Sequence, residues 1–194
     1  MMQELSLNVL DVAENSVRAD ASLIGITVEE DTAADRLTIT IEDNGRGMTP
    51  EQVRTVIDPF YTTRTTRKVG LGLPLLRLTA EQTGGSLDIQ STLGVGTTLT
   101  ARFQRQHLDC PPLGDLPGAV ALLIQGSPDI ELTYRHTTPK GEAALTTAEL
   151  RDILGDDVSL AEPEIFAWIQ DYLTEQENEA AVDANPAVSE GEVQ

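Results

Sequence analysis

One cysteine and one tryptophan in 194 residues leave little for cross-links, thiolate centres or an aromatic core. The lone thiol, Cys110, lies in Leu-Asp-Cys-Pro-Pro-Leu without a second cysteine in the chain, so no disulfide is expected and the residue reads as a packed thiol. The only histidines, His107 and His136, are far apart, and no His or Cys grouping has metal-ligand spacing. Also missing are an apolar run of about 18 residues and a charged-then-apolar leader. Their absence predicts a cytoplasmic protein with no membrane partner. Basic charge is scarce, with 13 Lys and Arg against 32 Asp and Glu. Residues 1–106 hold 14 acidic and 10 basic side chains, and residues 107–194 hold 18 and 3. Such a chain lacks the basic footprint that nucleic acid needs, so no nucleic-acid partner is expected.

Two glycine turns stand out against this background. Asp43-Asn44-Gly45-Arg46-Gly47 follows the alternating run Leu37–Ile41, and Val69-Gly70-Leu71-Gly72-Leu73 opens a helical segment. A carboxylate beside permissive glycines can read the amine edge of a planar ligand, and a glycine turn at a helix start offers free N–H groups to phosphate. Upstream, Leu5–Ala19 is free of Gly and Pro. Leu7, Leu10, Ala13 and Val17 form its expected apolar face, and Asn8, Asp11, Asn15 and Arg18 a polar stripe. Asp11 and Asn15 stand one turn apart, which suits a hard cation held by an amide oxygen near a carboxylate.

These segments resemble the GHKL superfamily, which includes gyrase B, heat-shock chaperone ATPases, MutL-type mismatch-repair proteins and histidine kinases. Asp11-Val-Ala-Glu-Asn15 resembles the N box, Asp43–Met48 the G1 box, Asp58–Arg64 the F box in its histidine-kinase form, and Gly70–Leu73 the G2 box. Gly94-Val-Gly96-Thr97 resembles the closing strand motif. The resemblance covers about residues 3–105 and implies an ATP site. It makes Asn15 the Mg2+ ligand, Asp43 the acceptor for the adenine amino group, and Thr97 a residue at the adenine edge. Gly45, Gly47 and Met48 then shape the base loop, and Gly70, Leu71, Gly72 and Leu73 line the phosphate turn. Phe60 belongs to the F box, and Arg64, Arg67 and Lys68 are lid cations placed to meet phosphates.

Two departures bear on chemistry. Where hydrolysing branches carry a glutamate base, this chain has Asp11, one methylene shorter, which predicts slow hydrolysis. Lys68 replaces a glycine that kinases usually carry in the lid.

The implied fold is an α/β two-layer sandwich, with a mixed sheet and helices on one face. Residues 1–106 are read as the ATP-binding domain, 107–174 as a small appended α/β unit, and 175–194 as an acidic disordered tail. Within the appended unit, Ala119–Ile124 and Thr147–Leu154 are expected as helices and Asp129–Tyr134 as a strand. Glu164–Leu173 is expected as a further helix, with Phe166, Trp168, Ile169 and Tyr172 as core or docking residues. Only about ten residues precede the N box, and neither histidine has a phosphoacceptor context. The resemblance therefore leaves two classes. One is a kinase acting in trans on a partner protein; the other is a non-catalytic nucleotide switch or interaction subunit, for which the resemblance suggests a redox or hydrogenase complex as the setting.

Overall fold

Alternating apolar side chains build one sheet from both halves of the chain. The computed structural model describes residues 4–58, 72–155 and 157–181. In chain order the elements are α1 (Leu5–Arg18), β1 (Leu23–Asp31), β2 (Arg36–Asp43), α2 (Pro50–Val56), α3 (Gly72–Gln82), β3 (Ser86–Thr92) and β4 (Gly96–Gln104). There follow α4 (Leu116–Gly126), β5 (Glu131–Thr138), β6 (Gly141–Thr146), α5 (Thr147–Leu154) and α6 (Pro163–Ala180). The strand order is β3-β4-β2-β1-β5-β6. β1 and β5 run parallel and the other neighbours antiparallel, so the sheet is mixed as expected.

Ile24, Ile26 and Val28 of β1 line up with Leu132, Tyr134 and His136 of β5, Ile26 and Val28 also pair with Ile41 and Ile39 of β2, and all are buried, as is Leu37 of β2. Their neighbours Thr27, Thr40 and Thr100 form a row on the opposite face, which stays partly exposed. The period-two pattern thus places the core on one side, where α1, α3, α4 and α6 pack. The segment expected as an appended unit joins this sheet through β5 and shares its core. The turns follow local chemistry: Thr49 and Gln52 form a reciprocal capping box at α2 with Pro50 in the first turn. Among the described residues no helix is long and apolar enough to cross a membrane.

Three expectations need correction. Leu7, assigned to the apolar face of α1, is 46% exposed. The helix instead buries Leu5, Ser6, Asn8, Val9, Val12, Ala13 and Ser16, because it is wedged between α3, α4 and the sheet and is covered from more than one side. Second, the chain is still helical beyond Glu175, since α6 runs to Ala180. Contacts made from its last turn hold it there: Glu177 bonds Tyr134 and His136, and the Ala180 carbonyl accepts from the Thr138 hydroxyl. Third, β6 was not expected at all. It forms the sheet edge, and Gln176 of α6 covers that edge by accepting from the outward Ala144 N–H at 2.9 Å. Of the four residues expected to pack or dock on α6, Ile169 is buried, Phe166 and Tyr172 are half-buried, and Trp168 is exposed while stacked on Tyr172 at 5.3 Å.

Candidate nucleotide site

The end of β2 delivers Asp43 to a junction of three elements. Thr97 of β4 lies directly opposite it in the sheet register, and Ser16 of α1 reaches it from the helix layer. Each oxygen of the carboxylate accepts one hydrogen bond. Ser16 Oγ donates to Oδ2 at 2.6 Å, and the Gly45 N–H donates to Oδ1 at 2.9 Å. The carboxylate is thereby fixed in orientation while retaining lone pairs for a ligand.

In front of it lies a cavity of about 230 Å³. Val12, Ile41, Ile89 and Leu99 form apolar walls, with Ser16, Asp43 and Thr97 at the polar end and Asn15 and Arg46 also lining it. Ala19, Gly47, Met48, Val56 and Leu73 complete the lining. That volume is below the roughly 300–1,000 Å³ typical of whole-ligand sites, so it suits a planar base with the rest of the ligand outside. A shallower groove of about 510 Å³ shares Asp43, Ile89 and Thr97 and extends past Pro50 and Val53 of α2.

The loop after Asp43 is shaped by its glycines. Gly47 has φ +66°, and a Cβ there would come within 2.0 Å of the Thr92 carbonyl oxygen, so only glycine lets this loop lie against the β3–β4 turn. Asn44 pins the same loop to the start of β1, its Oδ1 accepting from the N–H groups of Ser22 and Leu23 at 2.9 Å each. Ser91 orders the far wall: its Oγ accepts from the Met48 N–H at 2.8 Å, bonds the Gly96 carbonyl at 3.1 Å and lies 2.8 Å from Thr97 Oγ1.

Asn15 stands where the sequence placed it, lining the cavity from an exposed position on α1. Its Oδ1 accepts from Arg18 Nη1 at 2.9 Å, and Arg18 Nη2 pairs with Glu14 at 2.9 Å. Asp11, one turn earlier, does not line the cavity. Its carboxylate abuts the first residue of α3, and a Cβ on Gly72 would sit 1.8 Å from Asp11 Oδ2. Glycine at this helix start is therefore a packing requirement as well as a backbone one.

Of the residues expected at the site, Asn15, Asp43, Gly47, Met48, Leu73 and Thr97 line one cavity. Gly45 braces the carboxylate, and Gly72 meets Asp11 outside that lining. Phe60, Arg64, Arg67, Lys68, Gly70 and Leu71 lie outside the described residues. The sequence reading missed Ser16, Ser91 and the apolar walls. Ser91 could have been found from strand register, since it pairs with Thr97. Ser16 follows the motif asparagine directly.

A second polar cluster occupies the opposite end of the sheet. His136 is buried between Glu177 of α6, at 2.6 Å from Nδ1, and Glu30 of β1, at 3.1 Å from Nε2. Arg105 also binds Glu30, and the Tyr134 hydroxyl donates to Glu177. Burial alone pulls the His136 pKa down, but the hydrogen bonds and charges of Glu177 and Glu30 outweigh it and push it up to about 9. The bond from His136 holds Glu30 below the usual carboxylate range, against the opposing effect of burial. Burial and then the Glu177 charge push the Tyr134 phenol well up.

Residues 1–107 match the family described as histidine kinase-, DNA gyrase B-, and HSP90-like ATPase. The sensor protein SrrB of Staphylococcus aureus is 34% identical over 109 residues, covering 54% of this chain and 18% of its own length. Among solved structures, the N-terminal domain of a DNA repair protein superposes with TM-score 0.52 at 17% identity, over 75% of this chain and 53% of that one. The Aquifex aeolicus MutL ATPase domain complexed with ADP gives 0.47 at 16% identity, over 70% and 61%. The chain thus spans under a fifth of its curated relative, and the structural likeness speaks to the fold alone. With more than half its length matched by the family, the chain belongs to the histidine kinase-, gyrase B- and HSP90-like ATPases of the GHKL superfamily.

Proposed function

We propose that the protein binds Mg-ATP with adenine in the Asp43 cavity and passes the γ-phosphoryl group to a partner protein. The observation that carries the adenine assignment is the donor–acceptor arrangement. Asp43 can only accept. If Ser91 donates to the Gly96 carbonyl, the hydroxyl of Thr97 donates to Ser91, and Thr97 then also faces the cavity as an acceptor. An edge of two acceptors receives the exocyclic amine of adenine and repels a guanine seated the same way, whose keto oxygen would take that place.

Magnesium fits the residues present. Among the described residues no group of three or more His, Cys, Asp or Glu is placed to hold a metal ion. One amide oxygen at the cavity, Asn15 Oδ1, instead matches an ion that keeps waters and phosphate oxygens in its shell. Bound there, Mg2+ supplies charge neutralisation for the phosphates. In the transfer step the partner's nucleophile bonds to the γ-phosphorus, the bond to the bridging oxygen breaks, ADP leaves, and the nucleophile's proton passes to a base. Asp11 is the candidate base from this chain. His136 is not suited to be the acceptor, since it is buried with both ring nitrogens engaged.

A second reading is a nucleotide-dependent switch in a regulated complex, including a redox complex, with no transfer. The packing of Asp11 against Gly72 favours it, because that contact lets nucleotide occupancy bear on the start of α3. Radiolabelled ATP incubated with the protein and partners captured by pull-down separates the two. Label on a partner supports the kinase reading, and saturable ATP binding without label supports the switch.

A further inference from the structure

We propose that Arg18 holds the amide oxygen of Asn15, and that Mg2+ arriving at that oxygen drives the guanidinium off it by charge repulsion. The inference rests on the reading of Asn15 as the magnesium ligand. Arg18 Nη1 donates to Asn15 Oδ1 and Nη2 to Glu14 Oε2, each at 2.9 Å. Residues three and four apart on α1 share one helix surface, so a single guanidinium fork sits on both oxygens at once. The last turn is anchored as well: the Arg18 carbonyl accepts from Arg46 Nη2 at 2.9 Å, and Arg46 itself lines the cavity.

The two cations crowd one oxygen. Mg2+ bonds oxygen at about 2.0–2.1 Å, and a guanidinium hydrogen-bonded to the other lone pair of that oxygen would stand only about 4 Å from the ion. Their like charges repel at such a separation. A bare hydrated ion offers little to offset the exchange, whereas an ion arriving with phosphate oxygens brings the negative charge that does. Arg18 therefore acts as a positioning residue. It holds the Asn15 amide in its ligating orientation and raises the Mg2+ concentration needed to occupy it. The exposure of the pair keeps the effect modest.

The test is calorimetric titration of a non-hydrolysable ATP analogue into the full chain over a series of Mg2+ concentrations. The variants are Arg18→Ala, Arg18→Lys and Asn15→Ala. Arg18→Ala should lower the Mg2+ concentration giving half of the affinity gain by about twofold to fivefold. Arg18→Lys, which keeps a charge and a donor, should stay near wild type, and a purely structural role would not move this midpoint. An unchanged or raised midpoint in Arg18→Ala, with Asn15→Ala still abolishing the Mg2+ gain, overturns the exchange alone. A Mg2+ gain that survives Asn15→Ala overturns the ligand assignment and the exchange with it.

Discussion

The Ser16 hydroxyl donates to Asp43 Oδ2 across 2.6 Å, joining the first helix to the end of the second strand over 27 residues of sequence. Ser16 is 4% exposed, so this bond is shielded from water and holds the carboxylate against the cavity wall. A hydrogen bond to a charged group is worth about 1.5–3 kcal/mol when its partner is otherwise left unmade. Asp43 keeps its second anchor at Gly45, so Ser16→Ala should cost only part of that, weakening ATP binding by roughly threefold to tenfold. Calorimetry on the folded variant checks it, and unchanged affinity would show that Gly45 alone orients the carboxylate.

The His136 cluster predicts loss of stability on the alkaline side. The folded-state pKa of about 9 lies above the ordinary value of 6.5, so folding favours the protonated ring. The contribution is fully present below about pH 6.5 and fades as pH rises through about 9. Its size is on the order of 3 kcal/mol. Glu30, held low, works in the opposite window, and its contribution is lost as pH falls through its depressed pKa. Thermal melts of wild type should therefore fall steeply between pH 7 and about 10, and His136→Gln should flatten that decline. A slope identical in both proteins would remove His136 from the account.

Turnover should be slow. An aspartate at position 11 is one carbon–carbon bond short of a glutamate, and its carboxylate is engaged against Gly72. ATP hydrolysis by the isolated protein is expected well below the common enzyme rate of roughly 10 per second. Asp11→Asn should lower what remains. Asp11→Glu should raise the rate while lowering the melting temperature, since the added methylene must be fitted against the start of α3 at about 1–3 kcal/mol of overpacking. Brisk wild-type phosphate release that slows in Asp11→Glu would mean the site is built around aspartate.

Much of the site was legible because its determinants are local. Asp43 and Gly47 are read from one turn after an alternating strand, and Asn15 from one helical stripe. What escaped depends on partners distant in sequence. Leu7 fits a helical apolar repeat, yet the repeat does not say that α1 is covered from two directions, which rotates the buried set toward Asn8 and Ser16. β6 carries only Ala143 and Leu145 inward, too faint an alternation to signal a strand, and it exists because β5 pairs with it. Glu177 belongs by composition to an acidic tail, but His136, 41 residues away, turns it into an anchor for α6.

The central claim is that Asp43 selects adenine in the cavity between α1 and the sheet. Calorimetric titration of Mg-ATP and Mg-GTP into wild type and Asp43→Ala, with circular dichroism confirming that both are folded, tests it most directly. Wild type should prefer ATP. Asp43→Ala should weaken ATP binding by about tenfold to a hundredfold, from the loss of a hydrogen bond to a charged group, and largely erase the preference over GTP. A folded Asp43→Ala protein that binds ATP as tightly as wild type and keeps that preference would contradict the account.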